Sequence, residues 1–226
     1  MREVVIDTET TGLNYKAGDR IIEVGCIELI NHIATNNSLQ FYCKVDKEIS
    51  ESAQKITGIT NRFLSDKKNF ADHCDELLDF INNDPLIIHN ADFDVGFLNN
   101  ELLLVGKTAL TNPIIDTVSL ARNVLNTRVA NLDYLCRRFK VDLSERDLHG
   151  ALLDSRLLAE VYLELRGGKQ FSMNLSKKET PKTDSKKIKE TNKKSVIRFQ
   201  PLEEDVIAHK KMINETNDSL WKKYNY

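Results

Sequence analysis

The sequence predicts an α/β protein, a mixed sheet flanked by helices. Its first strong apolar segments have the two-residue period of strands. Beyond about residue 70, short apolar runs alternate with segments of helical period. An apolar content of 41% over 226 residues is enough for one full core and leaves chain for an appendage.

The elements follow in order. The run Val4-Val5-Ile6 opens a strand over residues 4–7, and residues 20–30, rich in Ile and Val, form a second. Leu39, Phe41, Cys43 and Val45 alternate with polar neighbours, which makes a half-buried third. Asn31-His32 and Asn36-Asn37 offer turn chemistry between the last two, so an antiparallel meander is expected. The spacing then predicts a helix over 70–81, stopped by Asn82-Asn83-Asp84-Pro85. Leu86-Ile87-Ile88 reads as a short buried strand, residues 92–105 as a helix ending at Gly106, and Ile114-Ile115-Asp116 as another strand. Leu132, Leu135, Cys136 and Phe139 fall at helical spacing. A long helix over 147–165 closes the domain before Gly167-Gly168. Residues 176–195 are dominated by Lys, Thr, Ser, Asp and Glu and read as a linker. Apolar residues return after 195, with Trp221, in a stretch too short for its own core and suited to docking on a partner.

Composition narrows the function. A formal charge of -2 argues against gripping duplex nucleic acid by charge alone, but not against a nuclease that takes one strand end into a cleft. Cys26, Cys43, Cys74 and Cys136 have neither zinc-site nor disulfide spacing. No run has membrane-spanning length, and no secretory pattern precedes the first strand. A soluble, cytoplasmic protein with reduced thiols and no membrane partner is expected.

Asp7 and Glu9 sit two apart on the first strand, so both carboxylates leave one face. At ~4 Å and an effective dielectric near 20 their repulsion costs about 4 kcal/mol, unless cations fill the gap. On this pair alone a solvated strand end stays open. Asp154 strengthens the metal reading. At about 100° per residue it falls opposite Arg156, Glu160 and Glu164, among Leu158, Val161 and Leu165. A lone carboxylate in an apolar stripe is costly without a partner. A salt bridge would satisfy it, but function is favoured, and replacing Asp154 with Ala is expected to leave the fold intact or slightly more stable. Asp94 opens a helix just after strand Leu86-Ile87-Ile88; by itself that would only complement a helix dipole. His149 precedes Asp154 by five residues. In regular helix the two would diverge by about 140°, so His149 joins Asp154 only from a loop, which Gly150 permits.

Taken together, Asp7-x-Glu9, Asp94 after His89-Asn90-Ala91-Asp92-Phe93, and His149 with Asp154 resemble the three motifs of the DEDDh 3′→5′ exonuclease superfamily. Residues 1–165 resemble its epsilon-type proofreading branch, which serves bacterial DNA polymerase III. His149-Gly150-Ala151-Leu152-Leu153-Asp154 and Leu158-Ala159-Glu160-Val161-Tyr162-Leu163 are especially close to it. The resemblance implies a ribonuclease-H-like fold with a five-stranded mixed sheet. It continues into Arg198-Phe199, the run Glu203-Glu204-Asp205-Val206-Ile207-Ala208-His209, and Leu220-Trp221. These look like the tail by which that branch holds the polymerase (alpha) subunit. Gln170-Phe171-Ser172-Met173-Asn174-Leu175 resembles a sliding-clamp-binding peptide. The implied organisation is a catalytic domain over 1–168, a linker over 169–195 and a polymerase-binding tail over 196–226. Relatives commonly carry His-Gly-Ile where this chain has Thr57-Gly58-Ile59, and an acid where it has Ser52.

The implied chemistry is hydrolysis of the terminal phosphodiester at a single-stranded or frayed 3′ DNA end. Two divalent cations, Mg²⁺ or Mn²⁺, would lie roughly 3.5–4 Å apart. Oxygen ligands suit these hard ions. Asp7 is expected to bridge them, Glu9 and Asp154 to complete one site, Asp94 to hold the other, and His149 to act as general base. Thr10, Gly12 and Leu13, with Ser52 and Thr57, are expected to contact substrate beside Asp7, Glu9 and Asp154. Two rival readings are an RNA-trimming member of the superfamily and a non-catalytic adaptor between polymerase and clamp.

Overall fold

The computed structural model describes residues 1–144, 146, 148–168 and 202–215. The chain falls into two compact units, Met1–Asn174 and Leu175–Tyr226.

In the first unit, β1 (Arg2–Thr10), β2 (Ile21–Ile30) and β3 (Ile33–Tyr42) form the expected antiparallel meander. Asn31 and His32 turn the β2–β3 hairpin, both at positive φ, the left-handed pair a two-residue hairpin loop requires. That loop is sufficient, so Asn36-Asn37 are not a turn and lie within β3. The third strand ends at Tyr42, leaving Cys43 and Val45 beyond it. Short strands β4 (Leu86–Ile88) and β5 (Ile114–Asp116) extend the sheet on the other side of β1, both parallel. The five strands run β3-β2-β1-β4-β5.

Helices cover both faces. Besides α1 (Glu51–Thr57) and α2 (Asn61–Leu64), the chain forms α3 (Phe70–Ile81) and α4 (Ala91–Leu104). After β5 come α5 (Thr117–Leu125), α6 (Leu132–Phe139) and α7 (Ala151–Leu165). Because β1 is central, its two faces feed two cores. Val4 and Ile6 pack with Leu77 of α3 and Phe97 of α4, and Val5 packs with Leu135 of α6 and Leu158 of α7.

Three of these helices went unread in the sequence: α1 and α2 are too short to show an apolar period, α5 shows one over only nine residues, and each carries a cap. Ser50 accepts from Ala53 N–H at α1, Thr60 from Phe63 N–H at α2, and Asp116 from Val118 and Ser119 N–H at α5. The closing helix begins at Ala151 rather than at 147. Gly150 is extended there, and the Asp154 N–H donates to its carbonyl at 2.8 Å. His149 therefore lies on the preceding loop. Within the second unit, α8 (Glu203–Glu215) carries Glu203, Glu204 and Asp205 in its first turn, where acids complement the helix dipole. The clamp-like segment 170–175, the linker 176–195 and Trp221 lie outside the described residues.

Candidate active site

Alternation along β1 sets the geometry. Asp7 and Glu9 share the face of Val5, turned toward α7, while Thr8 points to the opposite side. A register shift between Glu9 and Thr10 marks the strand end. Asp94, in the first turn of α4, reaches the same strand end from the other face. It is 3% exposed and accepts from Thr8 N–H at 3.0 Å and Thr8 Oγ1 at 2.7 Å. Asp154 arrives with α7 and is 5% exposed. The approach of α7 depends on Gly25, the residue paired with Asp7 on β2. A Cβ there would overlap the backbone of Ala151 and Leu152, and Ser155 Oγ donates to the Gly25 carbonyl at 2.9 Å.

The five predicted residues converge. Ligand atoms of Glu9, His149 and Asp154 all lie within 4.8 Å of one another. Asp7 shares a cleft of about 250 Å³ with His149, Asp154, His89, Asp133 and Arg146. A second cleft of about 560 Å³ is lined by Thr10, Gly12, Leu13, Ser52 and Thr57, the expected substrate residues, with Glu9 and Phe93.

Crowding of acids perturbs their titration. Burial, then Asp154, Glu23 and Asp94, pushes the Glu9 carboxyl up to about 8, against the opposing pull of Arg146. Asp94 is raised to about 7 by burial, opposed by its bonds from Thr8. Asp7 is raised well above the carboxylate range, by burial first and then by Asp94, Glu9 and Asp154. Such a site takes up protons when no cation is bound, so the oxygen-rich donor set fits hard divalent ions on its own chemistry.

Sequence reasoning missed three charged neighbours, Glu23, Arg146 and Asp133. Glu23, opposite Glu9 in the β1–β2 register, is 1% exposed and accepts from Gln40 Nε2 at 2.7 Å. Arg146 grips both Asp154 oxygens, through Nε at 2.6 Å and Nη2 at 2.8 Å, and also pairs with Asp133. Asp154 thus does have the salt bridge that the sequence reading set aside. An arginine three residues before His149, in a stretch otherwise rich in acids, was the signal available for it.

With this geometry in hand, the chain belongs to the exonuclease family, whose family model matches residues 4–162. Solved structures agree in fold. Exonuclease X in complex with 5′-overhanging duplex DNA superposes with a TM-score of 0.57 at 23% identity, covering 72% of this chain and 89% of its own. The nuclease domain of 3′hExo, a DEDDh family member bound to rAMP, gives 0.63 at 19% identity, covering 73% and 90%. Sequence relatives are nearer. The DNA polymerase III subunit epsilon of Rickettsia felis is 40% identical over 220 residues, 95% of this chain and 96% of that protein. Its counterpart in Escherichia coli is 42% identical over 180 residues, covering 76% of this chain and 74% of that protein. Within the exonucleases, then, the chain is a member of the DNA polymerase III epsilon family. The exonuclease superfamily uses divalent metal ions.

Proposed function

We propose that this chain is a 3′→5′ DNA exonuclease that proofreads for a replicative DNA polymerase III and releases nucleoside 5′-monophosphates. One observation carries the reading: four carboxylates and His149 converge beside a cleft of nucleotide size.

Asp7, Glu9, Asp94 and Asp154 would hold two divalent cations, Mg²⁺ or Mn²⁺. When bound, the cations supply positive charge to the phosphate oxygens and help to activate the attacking water. Thr10, Gly12, Leu13, Ser52 and Thr57 would seat the terminal nucleotide. Ser52 would contribute a neutral hydrogen bond; the Thr57 hydroxyl donates to the Ala53 carbonyl and accepts from Ile59 N–H, which leaves it one lone pair toward the cleft. Phe93 at the cleft wall gives a base a ring to stack on. His149 would act as general base, taking a proton on Nδ1, the ring nitrogen 3.3 Å from Asp154 Oδ2, where the new imidazolium is stabilised. A mismatched end frays at less cost than a paired one and so reaches the site more often.

The relative from Rickettsia felis matches 95% of this chain, so few residues beyond Asn174 fall outside the similarity. That supports a catalytic domain over 1–168, a linker over 169–195 and a tail over 196–226 that binds the polymerase subunit in the cytoplasm. Among the described residues no helix is long and apolar enough to cross a membrane. Segment 170–175 is the candidate contact for a sliding clamp.

The test is nucleotide release from 3′-labelled single strands and mismatched duplexes, with Mg²⁺ and with chelator, on DNA and on RNA of matched sequence. Release of 5′-monophosphates from DNA that stops in chelator is expected. Release confined to RNA would make the chain an RNA-trimming exonuclease, and no release would leave an adaptor.

A further inference from the structure

The acidic site already contains a cation. Arg146 lies on the loop before α7, and its side chain is 8% exposed. Its fork engages both oxygens of Asp154, and Nη1 pairs with Asp133. In addition Nη2 approaches His149 Nδ1 at 3.1 Å. A guanidinium only donates, so in this bond Nδ1 accepts and the neutral ring carries its proton on Nε2; the other tautomer would turn an Nδ1–H to Asp154 Oδ2, 3.3 Å away.

We infer that Arg146 is an internal latch: in the metal-free protein it occupies Asp154 and ties down His149, and a divalent cation must displace it. This rests on the reading of Asp154 as a metal ligand. The fork takes one lone pair on each Asp154 oxygen, and its positive charge stands in front of the carboxylate, where it repels a second cation. The one lone pair with which His149 would accept a proton is spent on the same side chain. A single group therefore holds both ligand and base idle, and one displacement frees both. Arg146 stays charged at any working pH, so the competition is between two cations. Its release breaks no helix, because it sits in irregular chain. Asp133, with its side chain 46% exposed, gives the guanidinium somewhere to stay once Asp154 is surrendered. Arg146 is on this view a positioning residue, acting through Asp154 and His149.

The test uses Mn²⁺ alone, titrated into the full chain without nucleic acid and followed by electron paramagnetic resonance. If the latch is closed nine times in ten, removing it tightens apparent Mn²⁺ binding about tenfold. R146M should show that gain, and R146K, which keeps the charge but loses the fork, a smaller one. A nitrogen-15 spectrum of His149 supplies a second readout: adding Mg²⁺ to the wild type should shift Nδ1 as the arginine leaves, and R146M should lack that step. Unchanged or weaker Mn²⁺ binding by folded R146M overturns the latch. If R146M does not fold, unchanged binding by R146K overturns it instead. D154N separates the two levels. Wild-type Mn²⁺ affinity in D154N would sink the metal-site reading itself. Weakened binding in D154N without tightening in the Arg146 variants sinks the latch alone.

Discussion

Replacing Glu9 with Gln should stabilise the metal-free protein at alkaline pH and do almost nothing at pH 5. The Glu9 carboxyl rises from its ordinary 4.5 to about 8, through burial and through Asp154, Glu23 and Asp94. A raised folded value means that the native state holds the proton more tightly than the unfolded chain. Stability is then fully present below about 4.5 and is lost as pH rises toward 8. The whole window corresponds to about 5 kcal/mol. Glu9 is only partly buried, and screening at its exposed edge trims the expected gain to roughly 2–4 kcal/mol at pH 8.5. Gln cannot ionise, so the variant escapes the loss. In a domain of this size that gain amounts to roughly 5–15 °C in the midpoint. Thermal unfolding in chelator at pH 5 and pH 8.5 measures it, and repetition in Mn²⁺ should reverse the order, because only the wild type keeps the full ligand set. Equal stability of the two proteins at pH 8.5 in chelator, or the same gain at both pH values, would refute the account of mutual repulsion.

Other outcomes follow from the same geometry. Asp154→Ala should abolish nucleotide release and, contrary to the reading from sequence alone, lower metal-free stability by about 1–3 kcal/mol in urea unfolding, since Arg146 loses its bidentate partner and keeps only Asp133 and the His149 contact. Thr8→Val removes the hydroxyl that donates to Asp94 while keeping the backbone bond, so it should raise the Mn²⁺ concentration needed for half-maximal hydrolysis several-fold. Gly25→Ala should cost about 3 kcal/mol or more and depress Mn²⁺ binding with it, as circular dichroism melts and a metal titration would report. Deleting residues 196–226 should spare hydrolysis and abolish co-purification with the polymerase subunit; survival of that complex would remove the tail assignment.

What the sequence disclosed and what it withheld divide along physical lines. Helices α3 and α6 and strands β4 and β5 were legible because apolar spacing alone defines them. Helix α1 was not: seven residues bury only Thr57, so the Ser50 cap and the Gly58 stop were the cues. The site followed the same rule. Asp7, Glu9 and Asp154 stood out because each breaks an apolar pattern locally. Glu23 also interrupts an apolar run, between Ile22 and Val24, and went unread because a single acid within a strand has many uses; Arg146 breaks no pattern. Their importance comes from which side chains the fold brings beside them, and that information lives in the pairing of Glu9 with Glu23 and in the loop before α7.

The position of Gly25 explains why these distant groups stay in register. A slip of β1 by one residue would turn Thr8 toward α7 and both acids toward α4, exchanging metal ligands for a hydroxyl. Sliding β2 instead would bring Val24 or Cys26 under the first turn of α7, where even a single Cβ overlaps the Ala151 and Leu152 backbone. Asp7 is thus held opposite the one residue on β2 that admits the helix carrying Asp154. Packing and chemistry share that constraint. A substitution that restored room at the helix, such as a shift of the α7 start in a Gly25→Ala background, should recover stability and Mn²⁺ binding together; recovery of one without the other would separate the two roles of this contact.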